Sequence, residues 1–119
     1  MQVINRSKDR VVAKTVHVAD TFRSRLKGLL GRKDFPPGEG LVLHPCSSVH
    51  TCFMKFPIDV VFLDRQGRVV YLQENLIPWR FTPIVRKAAT VVELPPGSIE
   101  AGCIKSGDTL ILVGGVSNV

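Results

Sequence analysis

The sequence predicts a mainly β fold: a compact antiparallel sandwich or open barrel of about seven short strands with one short N-terminal helix. Three observations predict it. Short apolar runs rich in Val, Ile and Leu recur along the chain, Gly-, Pro- and Asp-bearing turns separate them at close spacing, and only one segment carries a helical period. With 119 residues, 45% of them hydrophobic, residues 1–119 have the size of one ordinary domain.

The elements follow in chain order. Segment 2–18 reads as a hairpin: Val3 and Ile4 precede a polar turn at 5–10, and 11–18 alternates through Val12, Lys14, Val16 and Val18. Asp20 or Thr21 can cap a helix running to about Leu30, whose Phe22, Leu26, Leu29 and Leu30 form one apolar stripe. Arg23 and Lys27 share its outer face, and Gly31 is its expected stop. Segment 35–40 (FPPGEG) is a loop. A short strand follows at 41–44, ended by Pro45, and 58–63 has the apolar, β-branched character of a central strand. Asp64-Arg65-Gln66-Gly67 suits a type I turn and returns the chain as strand 68–73. Pro78 and Pro83 break both periods, so 76–87 reads as a loop. Strand 90–94, the turn Pro95-Pro96-Gly97, the turn Gly107-Asp108 and strand 109–113 complete the chain.

Several classes are excluded. No window approaches the apolar length of a membrane-spanning helix. Charges interrupt the N-terminus before a signal-peptide core can build, and with three Cys this points to a reducing cytoplasm. The phosphate-loop, dinucleotide, HExxH and GxSxG fingerprints are all missing, and no cofactor is expected. The net charge of +6 resides mainly in residues 1–40, which hold nine Lys or Arg against four acids.

Taken in order, Arg25-x-x-Gly28-Leu29-x-x-Arg32, Gly40-Leu41-Val42-Leu43, Phe53-Met54-Lys55, Ile58-Asp59-Val60-x-Phe62-Leu63-Asp64 and Val92-Glu93-Leu94-Pro95-x-Gly97 form a pattern spanning about residues 15–113. That pattern resembles the domain-of-unknown-function 192 family, a group of small uncharacterised prokaryotic proteins. The resemblance implies a compact β-rich sandwich with a short helix and supplies no activity. Where the family often carries Trp-Met-Lys-Asn-Thr, this chain has Phe53-Met54-Lys55-Phe56-Pro57, so the polar Asn-Thr pair is missing.

Four constellations could carry chemistry. Cys46, Ser48, His50, Cys52 and Met54 alternate, and an extended chain would put them on one face. Cys46, His50 and Cys52 are the candidate metal ligands, but a fourth must come from His44, Asp59 or Cys103, and buried small thiols beside a hydrogen-bonded histidine are the simpler expectation. A Cys52–His50 nucleophile pair would be loose, because i and i+2 β-carbons on a strand are about 7 Å apart. Asp59 and Glu93 interrupt apolar strands, so each needs a partner or a rim position, and Arg25 and Arg32 are the natural partners. Finally, Trp79-Arg80-Phe81 with Arg86-Lys87, together with the basic helix, could contact single-stranded nucleic acid, although aromatics flanked by Pro more often anchor a loop.

The leading expectation is a binding or accessory module for a small polar or anionic ligand. Its cleft would lie between segment 50–59 and helix 25–32, with Arg25, Arg32, His50, Lys55, Asp59 and Glu93 as ligand-binding residues. The alternatives are an enzyme with His50 and Asp59 as acid–base or metal-assisting groups, and a weak nucleic-acid binder using the basic helix.

Overall fold

The structure, a computed structural model, describes residues 1–114; the side chains of Phe22, Arg23 and Leu26, and with them two of the four residues of the predicted helical stripe, lie outside that description. Among the described residues, eight strands form two sheets. Strand β1 (Gln2–Asn5) pairs with β2 (Arg10–Ala13) and with β8 (Leu110–Val113) in a three-stranded sheet ordered β2-β1-β8. Strands β3 (Thr15–Ala19), β4 (Glu39–Leu43), β5 (Ile58–Leu63), β6 (Val69–Leu76) and β7 (Thr90–Leu94) form a five-stranded sheet ordered β3-β4-β7-β5-β6. The arrangement is a mainly β, sandwich-like fold rather than a barrel.

Four features differ from the sequence expectation. Residues 11–18 are not one strand, because the chain changes sheets at Lys14; the N–H groups of Lys14 and Thr15 both donate to the Gly38 carbonyl at that corner. The sheets are not wholly antiparallel, since β3 and β4 run parallel, in register from Thr15↔Glu39 to Ala19↔Leu43. Parallel neighbours need a crossover, and segment 20–38 supplies it. That segment carries α1 (Phe22–Lys27), which stops before Leu30 because Gly28 takes φ 43°. The C-terminal part holds a helix the sequence did not announce, α2 (Ser98–Ala101), too short to show a helical period.

The five-stranded sheet is covered on both faces, and this explains its apolar strands. One face packs on the three-stranded sheet and α2 through Val3, Ala13, Val61, Val92, Leu94 and Ile104. The other face presents Leu41, Leu43, Val60, Phe62 and Val91 to a layer built from the crossover and the loops, including Leu29, Phe35 and Met54. Every residue of β5 is buried. Burying one such side chain stabilises by roughly 1.5–3 kcal/mol, so β5 binds both layers to the sheet. The Asp64–Gly67 turn is fixed by Asp64 Oδ1, which accepts the N–H groups of Gln66 and Arg68 at 2.9 Å each. Gly67 is required there, since its φ is 82° and a β-carbon would lie 2.7 Å from the Leu110 carbonyl oxygen.

Candidate functional site

A cleft of about 230 Å³ opens on the face of the sheet covered by the crossover. One wall is α1 and the turn after it, with Arg25, Lys27, Leu29 and Leu30; the other is the segment after β4, with Cys46, Ser48, Val49, His50 and Met54. Leu43 and Glu93 also line it, from the sheet. Helix α1 is only six residues long, and a reciprocal cap holds it: Ser24 N–H donates to Thr21 Oγ1 and Thr21 N–H to Ser24 Oγ, both at 3.0 Å.

Register places Glu93. It pairs with Leu41 on one side and Val60 on the other, so it shares their face of the sheet. Only 4% of Glu93 is exposed, and its carboxyl makes no hydrogen bond or ion pair among the described residues. Burial therefore pushes its pKa up to about 8 from an ordinary 4.5, and the group is protonated at neutral pH. Burial also raises the Cys46 thiol, so Cys46 lines the cleft as a neutral thiol whose Sγ donates to the Ser48 carbonyl at 3.1 Å.

Asp59 points the other way. As the neighbour of Val60 on β5, it faces the three-stranded sheet, fully buried. Its Oδ1 accepts the Asn75 N–H at 2.8 Å, and its Oδ2 accepts the Ile99 N–H at 2.9 Å in the first turn of α2. Two backbone donors take the place of the expected arginine. Arg32 is engaged elsewhere, bonding Glu39 at 2.7 Å and lying over the Phe35 ring. Lys55 is exposed and outside the cleft lining. Of the six expected ligand-binding residues, the fold thus brings together Arg25, His50 and Glu93, and separates Arg32, Lys55 and Asp59 from them.

Segment 46–54 is not a regular strand; its one β-bridge joins His50 to Phe81. Cys46, Ser48, His50 and Met54 still line the cleft, but Cys52 does not, because the chain turns at Phe53 with φ 66°. His50 Nδ1 accepts the Cys52 N–H at 3.2 Å, so that nitrogen faces an amide rather than the thiol. Among the described residues, no three His, Cys, Asp or Glu side chains gather as metal ligands.

Beside the cleft mouth, loop 77–82 docks on Thr51. Thr51 Oγ1 donates to the Ile77 carbonyl at 2.6 Å and accepts the Arg80 N–H at 2.9 Å, while Thr51 N–H donates to the Arg80 carbonyl. Thr82 repeats the device with Val49. The two threonines hold this loop, and the aromatics expected to anchor it point outward: Trp79 is 56% and Phe81 73% exposed. Neither threonine was marked by spacing or composition. Arg86 and Lys87 line a separate recess with His44, Asp64 and Arg65, so the basic residues do not form one stripe beside Trp79.

The sequence profile of the domain-of-unknown-function 192 family (DUF192, “Uncharacterized ACR”) matches residues 3–112, nearly the whole chain. The chain belongs to this family. Curated relatives agree in kind. A UPF0127 protein of Pyrococcus furiosus is 38% identical over 113 residues, covering 91% of this chain and 95% of its own. Another from Pyrococcus horikoshii is 34% identical over 114 residues, covering 91% and 96%. Among solved structures, a protein of unknown function from Novosphingobium aromaticivorans superimposes with a TM-score of 0.80 over 93% of this chain and 82% of its own. At 23% identity, that likeness concerns the fold.

Proposed function

We propose that this DUF192 protein is a small-ligand binding module whose site is the cleft between α1 and the five-stranded sheet. The preferred ligand has a short apolar body and an anionic or polar end. The observation that carries this reading is Glu93: a buried carboxyl, unpartnered among the described residues, lining an otherwise largely apolar cleft. An orphaned polar group of this kind costs stability, so the cleft gains when a ligand satisfies it. Protonated, Glu93 donates a hydrogen bond to a ligand oxygen. Arg25 and Lys27 supply positive charge, and Leu29, Leu43, Val49 and Met54 take the apolar body. Binding is favoured over acid–base chemistry by His50 and Asp59, because those two residues lie on opposite sides of the sheet.

The test is a titration of isotope-labelled protein with hexanoate, followed by amide chemical shifts. Shifts should cluster at Gly28, Val49 and Met54. Glu93→Leu should abolish them, and Arg25→Gln should weaken binding about tenfold, the worth of one charge-assisted contact. Affinity of the wild type should fall as pH rises through about 8, where Glu93 ionises, while Glu93→Gln should show no such fall. Shifts scattered over the surface, or retained in Glu93→Leu, would sink the proposal.

A further inference from the structure

The surface beside the cleft mouth has a composition of its own. Phe53 is 70% exposed, Trp79 56%, Phe81 73%, and Ile84, two residues past loop 77–82, 74%. Phe53 and Trp79 meet edge to face at 4.6 Å, and both hold positive φ, 66° and 67°, which large side chains rarely adopt. These aromatics are held outward by a stiff base, since Thr51 and Thr82 pin both segments through the backbone. Lys55 and Arg80, both exposed, are the cations of the two aromatic-bearing segments, and Arg25 and Lys27 line the adjoining cleft. No Asp or Glu occurs in residues 40–58 or 75–92.

We propose that Phe53, Trp79, Phe81 and Ile84, with Lys55 and Arg80, seat the protein on anionic phospholipid bilayers. The charge of the patch selects an anionic partner, and its side chains select the kind. Trp and Phe beside Lys and Arg are the residue types that settle at the headgroup boundary, with apolar bodies in the acyl region and cations among lipid phosphates. Single-stranded nucleic acid would fit less well. Ile84 offers no stacking face, and the edge-to-face contact of Phe53 with Trp79 covers aromatic surface that a base would need. Contact at the surface requires no spanning segment, in keeping with the absence of a long apolar helix among the described residues. This inference is independent of the cleft's ligand.

Trp79 is the sole tryptophan, so its fluorescence reports the patch alone. With phosphatidylcholine vesicles containing phosphatidylserine, Trp79 emission should shift to the blue and resist acrylamide quenching, and added salt should reverse both changes. Phe53→Asn combined with Phe81→Ser should weaken partitioning about tenfold or more, with the thermal transition retained because both positions are exposed. Lys55→Gln with Arg80→Gln should weaken it about tenfold. The inference is overturned by an unshifted Trp79 on anionic vesicles, or by an equal shift on pure phosphatidylcholine. It is likewise overturned if an oligothymidylate quenches Trp79 while vesicles leave it unchanged. The wild-type readout decides these outcomes even if a variant fails to fold.

Discussion

Asp59 and Glu93 stand on adjacent strands, yet one residue of register gives them opposite surroundings. Val60 lies across from Glu93, so Asp59, one position earlier, faces away. Asp59 is therefore a structural acceptor that ties β5 to Asn75 and to the start of α2. Replacing Asp59 with Ala leaves two backbone N–H groups without their acceptor and should cost about 2–3 kcal/mol in urea unfolding. Hexanoate titration of the folded variant should remain as in the wild type. An unchanged unfolding midpoint would contradict this assignment. Glu93 carries the opposite expectation. Its folded pKa lies above its unfolded one, so the native state holds the proton more tightly. Stability from this group is fully present below pH 4.5 and is lost as pH rises to about 8. Relative to Glu93→Gln, the wild type should lose on the order of 5 kcal/mol across that window. Urea midpoints of both proteins measured at pH 5 and pH 9 check this (roughly the two ends of the linkage window), and parallel pH profiles would refute it.

At the scale of elements, α1 is the weak wall of the cleft. Six residues are too few for a helix to persist by propensity alone, so it depends on its cap and on packing. Thr21→Ala removes the side-chain acceptor for Ser24 N–H and should destabilise α1 by about 1 kcal/mol. Faster hydrogen exchange at the Arg25 and Gly28 amides, with β5 amides unchanged, would register this as local fraying. Equal acceleration in β5 would instead make α1 part of the global unfolding unit. Most strands could be read from the sequence, because β5, β6 and β7 are bounded by turns whose chemistry is local, such as Asp64 and Gly67. Helix α2 could not, since its N–H at Ile99 is met by Asp59, forty residues away. The corner at Lys14 was equally hidden, for it depends on the distant Gly38 carbonyl.

At the scale of the whole molecule, the basic charge disperses once the chain folds. Lys8 pairs with Asp108 and Arg10 donates to the Ala101 carbonyl, so part of the N-terminal excess is spent on tertiary contacts. Within that framework the cleft and the aromatic surface meet at His50, which lines one and packs 5.9 Å from the Phe81 ring of the other. The amino-acid sequence by itself determined the mainly β character, the family pattern, and Arg25, His50 and Glu93 as residues to watch. Those are consequences of local periodicity, turn chemistry and residue type. Only the tertiary structure decided that Glu93 lines the cleft and Asp59 does not, that Cys52 turns away from Cys46, and that Trp79 and Phe81 face outward. Facing and burial depend on strand register and on which segments cover each sheet, and these are set by contacts between residues far apart in the chain.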